Sequence, residues 1–486
     1  MPTYLGLDLG TSSLKALLID ETQSPIASVS FPLTVERPDF GWSEQDPASW
    51  IAACEKALDQ LKAEQPQAMA ALAGIGLSGH MHGATLLGEG DAVLRPCILW
   101  NDTRSHAEAA ELDDAESRAI TGNIVFPGFT APKLVWVERH EPEIFAKVRR
   151  VLLPKDYLRL WLTGEAVSEM SDAAGTAWLD TGKRDWSATM LERTHLSIDT
   201  MPRLVEGSEA SGTLRAELAA RWGLPAGIVV AGGGGDNAAS ACGVGVVAPG
   251  TGFLSLGTSG VVFTATAGYT PAPETALHTF CHALPGLWHQ MGVTLSAAGS
   301  LEWLSKLLQE KPGELTARLG DDLQGPGRLL FLPYLSGERT PHNDAAMRGV
   351  FAGLEADTDR ADMVKAVLEG VAFSMRDCLE AGGGTHTVDR LIAVGAGSRS
   401  HYWLKLMATV LDTEIALPAA GDFGAAFGAA RLGICAATGA DPKEVITVPP
   451  LAERFAPQPA FTAEFEAAYR RYRALYPAVK GAVSAN

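Results

Sequence analysis

Leu7-Asp8-Leu9-Gly10-Thr11-Ser12 stands near the N-terminus, and 247 residues later the chain repeats it as Leu254-Ser255-Leu256-Gly257-Thr258-Ser259. A near-repeat at half the length of a 486-residue chain predicts duplicated architecture, with two domains of like design, 1–246 and 247–486, facing each other across a cleft. In each copy an apolar run enters Gly-Thr-Ser and another leaves it, which predicts a β-hairpin. Such a tip can turn backbone N–H and hydroxyl groups toward phosphate oxygens. One copy alone would read as an ordinary turn; turn chemistry gives no reason for the same phrase twice. The copies differ chemically where Asp8 becomes Ser255. A site between them therefore has a carboxylate on one side only, which suits a single divalent metal riding on a nucleotide triphosphate. Asp8 is the metal candidate, acting through water because Mg²⁺ keeps much of its hydration shell.

Bulk composition narrows the partners. The formal charge of −18 disfavours a nucleic-acid or anionic-membrane surface. A phosphorylated small molecule is still admitted, since Mg²⁺ and backbone N–H groups can meet its charge locally. The six cysteines (Cys54, Cys97, Cys242, Cys281, Cys378, Cys435) show no CxxC pairing and read as reduced thiols of a cytoplasmic enzyme. No apolar run reaches the roughly 18 residues of a membrane span, and no secretory leader is evident at the N-terminus. A homodimer is left open.

Other motifs cluster at predicted strand ends. Ala73 to Leu77 runs into Ser78-Gly79-His80-Met81-His82-Gly83, two histidines in a polar turn without the further ligands a metal site needs. A strand over 93–100 ends in Trp100-Asn101-Asp102, where an aromatic face beside short polar groups can hold a sugar. The region 105–227 reads as mostly helical. Gly232 to Gly235 precede Asp236-Asn237 and a small-residue helix, 238–245. Four consecutive glycines carry a high entropic cost and permit close backbone approach. Asp236 at a helix start is either an N-cap or a general base accepting a substrate hydroxyl proton. Arg390 to Val394 leads into Gly395-Ala396-Gly397-Ser398, a glycine loop that suits a nucleoside or a plain turn. Asp422 precedes a second small-residue helix, 424–437, so the two such helices are expected to pack together as a hinge.

Taken together these residues resemble the FGGY carbohydrate kinases of the actin, sugar-kinase and heat-shock ATPase superfamily. The stretches Gly128 to Trp136, Gly349 to Leu354 and Leu368-Glu369-Gly370 are similar to that family's signatures. His80 to Leu87, Leu153 to Leu160 and Tyr334 to His342 resemble the members that act on D-xylulose. The resemblance implies an α/β fold of two ribonuclease H-like domains and ATP- and Mg²⁺-dependent phosphorylation of the 5-hydroxyl of D-xylulose. Another ketose or polyol, such as ribulose or L-xylulose, and an ATP-switched binding protein are the alternatives. By position, it implies Asp236 as catalytic base and Asp8 as the carboxylate serving metal and phosphate. Gly10, Thr11, Ser12 and Lys15 would form the first phosphate loop, and Gly257, Thr258 and Ser259 the second. Gly395, Gly397 and Ser398 would hold adenosine. Met81, His82, Trp100, Asn101, Asp102, Asp236 and Asn237 would face the sugar. Three positions depart from the family pattern: Ala396 for a usual glycine, one extra glycine before Asp236, and Lys405 for a frequent glutamine.

Overall fold

The computed structural model describes residues 1–384, 387–419 and 423–483. The N-terminal half is built on a sheet containing β1 (Thr3–Leu9), β2 (Ser13–Asp20), β3 (Pro25–Pro32), β4 (Leu72–Gly79), β5 (Ala210–Thr213) and β6 (Val229–Ala231). Its order is β5-β6-β4-β1-β2-β3. β1, β2 and β3 form an antiparallel meander, β4 and β6 continue parallel to β1, and β5 closes the edge antiparallel. The C-terminal half repeats the plan with β7 (Thr251–Leu256), β8 (Gly260–Thr266), β9 (His278–Cys281), β10 (Trp288–Thr294), β11 (Arg390–Val394), β12 (Glu414–Pro418) and β13 (Leu451–Phe455). Its order, β9-β10-β8-β7-β11-β12-β13, matches the first sheet direction for direction, with β9 added at the edge. The repeated phrase therefore occupies the same place twice, the tip of the β1–β2 hairpin and the tip of the β7–β8 hairpin. This is the two-domain ribonuclease H-like α/β fold, of actin and sugar-kinase type.

Helices start where the sequence provides caps. α1 (Pro47–Glu64) opens on Asp46, whose side chain accepts from Ala48 N at 2.9 Å, with proline at the first turn. It buries Trp50, Cys54, Leu58 and Leu61 on the first sheet's core. The two small-residue helices are α2 (Asp236–Val244) and α3 (Ala425–Thr438). They pack backbone to backbone: a side chain at Gly428 would collide with the Ala239 carbonyl, and one at Gly243 with the carbonyls of Phe423 and Gly424. The hinge-like pairing expected from sequence is thus present, although Asp422 lies outside the described residues.

The exchange goes further than the sequence suggested. α3, from the C-terminal half, lies on the N-terminal sheet, where Gly6 and Gly76 leave room for the carbonyls of Ala426 and Ala429. α2, from the N-terminal half, buries Ala241 and Val244 against Phe253, Phe263 and Ile392 of the other sheet. Arg431 of α3 ties the crossing, donating to the carbonyls of Cys242 (3.0 Å) and Gly243 (3.2 Å) at the C-terminus of α2.

The regular structure of region 105–227 is mainly helical, as expected, but it also holds short strands. Helices Thr130–His140 and Pro154–Thr163 alternate there with short paired strands such as Val167–Glu169 and Arg203–Val205. The strand expected over 93–100 shrinks to Cys97–Ile98, paired with Glu44–Gln45.

Candidate active site

β1 and β4 run in register so that Asp8 lies beside Ser78, and the short strand Gly234–Gly235 adds Gly234 beside Ser78. Asp8, Ser78 and Gly234 thus form one row across the strand ends, and Asp236 follows two residues on. Ser78 Oγ donates to Asp8 Oδ1 at 3.0 Å, fixing the carboxylate. Lys15 lies across the hairpin from Asp8.

Asp236 is the first residue of α2, and the N-cap position belongs to Gly235. The N-cap alternative is therefore not what the fold uses. The carboxylate sits at the positive end of the helix, with Oδ1 accepting from Asn237 N (2.7 Å) and Asn237 Nδ2 (3.0 Å). Burial first, then the negative charge of Asp8, push its pKa up to about 6, against the pull of the Asn237 bonds. Such a carboxylate is ionised at neutral pH yet more basic than a free one, as a general base requires.

The glycine run has a packing reason as well. A side chain at Gly232 would strike the Glu206 carbonyl, and one at Gly233, whose φ is +79°, the Leu77 carbonyl. At Gly235 a Cβ would come within 2.9 Å of Met81 Cγ, so Met81 lies against the chain just before Asp236. His82 takes a left-handed backbone with φ 70°. Its carbonyl accepts from Lys133 Nζ (2.8 Å) and Thr130 Oγ1 (3.1 Å), and its ring stacks on Phe129. Since a carbonyl can only accept, the 2.6 Å contact with Gly175 O makes Nδ1 the donor and leaves Nε2 an acceptor. Burial drives the His82 pKa down to about 3, so the ring is neutral. His80 is buried and likewise pushed down to about 3 by burial.

The first Gly-Thr-Ser tip is braced from outside. Trp100 Nε1 donates to Thr11 Oγ1 at 2.9 Å, Gln45 Nε2 to the Thr11 carbonyl at 2.7 Å, and Leu33 N to the Ser12 carbonyl at 2.8 Å. Gly10 N bonds Ser13 O at 3.0 Å, closing the turn, and the Ser12 side of the tip is exposed. Trp100 keeps 47 % of its surface exposed while touching the loop. Asn101 is half-buried, and its Oδ1 is a buried acceptor without a protein partner. Asp102 differs from the expectation of a sugar contact. It is buried, with Oδ1 accepting from Arg104 N and Nε (both 2.9 Å) and Oδ2 from Arg104 Nη2 (2.7 Å) and Ser43 N (2.6 Å). Its carboxylate is committed to shaping the Trp100–Asn101 turn.

In the C-terminal half, Gly257 O accepts from Ala298 N (2.8 Å) and Thr258 O from Ala297 N (2.8 Å) and Gly299 N (3.1 Å). The second tip thereby caps the helix Ala298–Leu308, while Thr258 and Ser259 point outward, exposed. Gly395, with φ 89°, backs onto Leu256 and Gly257, and Gly397 packs on Leu256 and the Trp403 ring. Ser398 Oγ turns back to donate to Gly395 O at 2.7 Å, so it closes the loop. A cavity of about 630 Å³ opens beside this loop, lined by Glu302, Asp321, Ala396, Gly397, His401 and Tyr402 among others. Lys405 donates to the Asp321 carbonyl at 2.6 Å, at the cavity's edge.

Sequence reasoning missed Ser78, Lys133, Ser171 and Gly175 as partners of these groups. Lys133 stood inside the Gly128 to Trp136 stretch, and Ser78 inside the histidine turn, each without a role. Nothing local marks the long-range bonds by which Ser171 meets Gly235 N and Gly175 meets the His82 ring.

Two Gly-Thr-Ser hairpins on duplicated sheets, an acidic residue opening a helix and a cavity of about 630 Å³ fit a phosphotransferase of the actin-like class. Family models agree: residues 3–243 match the N-terminal domain of the FGGY family of carbohydrate kinases, and residues 252–437 its C-terminal domain. The chain belongs to the FGGY family of carbohydrate kinases. It is 49 % identical to a xylulose kinase of Klebsiella pneumoniae, over 88 % of this chain and 89 % of that one. It is 46 % identical to the xylulose kinase of Escherichia coli K12, over 97 % and 98 %. Among solved structures, a xyloylose kinase from Brucella ovis superposes with a TM-score of 0.97 at 63 % identity, covering 99 % of each chain.

Proposed function

We propose that this chain transfers the γ-phosphoryl group of ATP to the 5-hydroxyl of D-xylulose, giving D-xylulose 5-phosphate and ADP. The observation that carries it is the convergence at one set of strand ends of Asp8, Ser78, Met81, His82 and Asp236. The xylulose kinases to which the chain is similar support the choice of sugar.

Phosphoryl transfer needs positioning and charge neutralisation more than covalent help. The exposed tips at Thr11-Ser12 and Thr258-Ser259 hold phosphate oxygens, and the cavity beside Gly395–Gly397 takes the nucleoside. A single carboxylate fixed by Ser78 fits a cation carried on the phosphates and reached through water, so Asp8 and Lys15 flank the metal–phosphate end. When bound, Mg²⁺ supplies neutralisation of the phosphate charge. His82 Nε2 and the Asn101 amide accept and donate to sugar hydroxyls, with Met81 and the Trp100 face against the carbon chain and Asn237 steadying Asp236. Asp236 takes the proton of the 5-hydroxyl as its oxygen attacks phosphorus and the bond to the ADP oxygen breaks.

A coupled ADP-release assay across D-xylulose, L-xylulose, ribulose, hexuloses and polyols tests the assignment. D-Xylulose should give the highest kcat/KM. A higher value for another sugar would reassign the substrate, and no sugar-stimulated ADP release would favour a nucleotide-switched binding protein.

A further inference from the structure

Five charged side chains lie fully buried beneath the glycine run: Lys155, Asp156, Arg159, Glu169 and Asp172. Lys155 Nζ is 2.8 Å from Asp156 Oδ1, 2.9 Å from Asp172 Oδ2 and 3.3 Å from Glu169 Oε1. Ser168 Oγ donates to Asp156 at 2.6 Å, and Ser171 Oγ to Glu169 at 2.8 Å. Burial works against the Lys155 charge, but Asp156, Asp172 and Glu169 outweigh it and push its pKa upward. Burial foremost pushes the Asp172 pKa upward, against the pull of Lys155.

Buried ionic clusters rarely add net stability, because desolvation offsets the attraction. What this one touches is more telling. Arg159 Nη2 donates to the Gly232 carbonyl, at the start of the glycine run. Ser171 Oγ accepts from Gly235 N at 3.1 Å, at its end, one residue before Asp236. Between these holds the glycines have no side chains of their own with which to fix the backbone. Gly175, four residues beyond Ser171, is the carbonyl that orients the His82 ring.

We propose that this buried cluster is a positioning device, which clamps both ends of the glycine run through Arg159 and Ser171 and so fixes the Asp236 carboxylate at its working place. The inference rests on Asp236 being the base, as proposed above. Arg159 and Ser171 are positioning residues; neither touches substrate.

The test is steady-state kinetics with D-xylulose and MgATP on the full chain. Ser171→Ala should lower kcat about tenfold or more, since small misplacements of a reacting group cost that much. Its KM for ATP should stay within about twofold of wild type and its thermal midpoint nearly unchanged, and Ser171→Thr, which keeps the hydroxyl, should recover most of the rate. Arg159→Lys, which keeps the charge but loses the Nη2 bond to the Gly232 carbonyl, should show the same split and serves if the alanine variant fails to fold. Wild-type kcat in both variants would overturn the proposal. So would a loss matched by the thermal midpoint and not rescued by threonine. Asp236→Asn is run alongside: full activity there would remove the base assignment itself, whereas its inactivity beside unaffected Ser171→Ala and Arg159→Lys would remove only the clamp.

Discussion

Asp236 and His82 illustrate how burial tunes single groups here. The Asp236 pKa is raised to about 6, and the group must be ionised to accept a proton. Activity should therefore be constant above that value and fall about tenfold per pH unit below it, a limb measurable in a pH profile of kcat. A limb near pH 4 would mean that the carboxylate is better solvated than its surroundings imply. His82 is held neutral with Nε2 as acceptor, so His82→Ala should raise the sugar KM by about tenfold and leave the ATP KM unchanged. Equal changes in both constants would show a loosened fold and no lost sugar contact. At this scale local context was enough to place Asp8 near a strand end, Asp236 at a helix start and the two Thr-Ser stretches at hairpin tips. Asp102 misled because its salt bridge to Arg104, two residues on, makes a sugar-facing motif and a structural turn look alike.

Elements were legible where a pattern repeats. The twin hairpins and twin small-residue helices were visible, and the helix pairing follows from glycine and alanine at the contact. Which sheet each helix covers was not visible, because the crossed packing of α2 and α3 joins residues about 190 positions apart, as Arg431 and Cys242 are. The short strands within the mainly helical region 105–227 were not visible, because at three residues or so they are too short to carry a period and pair with distant partners. The crossing makes its own prediction. Gly428→Ala places a methyl group on the Ala239 carbonyl and should cost about 1–3 kcal/mol or more, read as a lower thermal midpoint. Gly424→Ala, at the N-cap of the same helix with nothing within 4 Å of its added carbon, should cost far less. Equal midpoints would argue against tight backbone packing at the crossing.

At the scale of the whole molecule, the reciprocal helices join what the sequence divides at 246/247. We propose that the halves 1–246 and 247–486 are domains in topology but depend on each other for a cover over one sheet face each. Expressed separately they should fail to fold cooperatively, and co-expressed they should reassemble an active enzyme; two independently stable halves would contradict this. We propose that the same crossing is the hinge for closure over sugar and nucleotide. Small-angle scattering should show a smaller radius of gyration with D-xylulose and a non-hydrolysable nucleotide than without, and superimposable profiles would count against closure. What joins these scales is the carboxylate at position 236, and its direct test is Asp236→Asn. Calorimetry on this variant should find D-xylulose bound within a few-fold of wild type, while single-turnover transfer from MgATP falls by about 10²–10⁴. Transfer at the wild-type rate with the sugar still bound would contradict the mechanism.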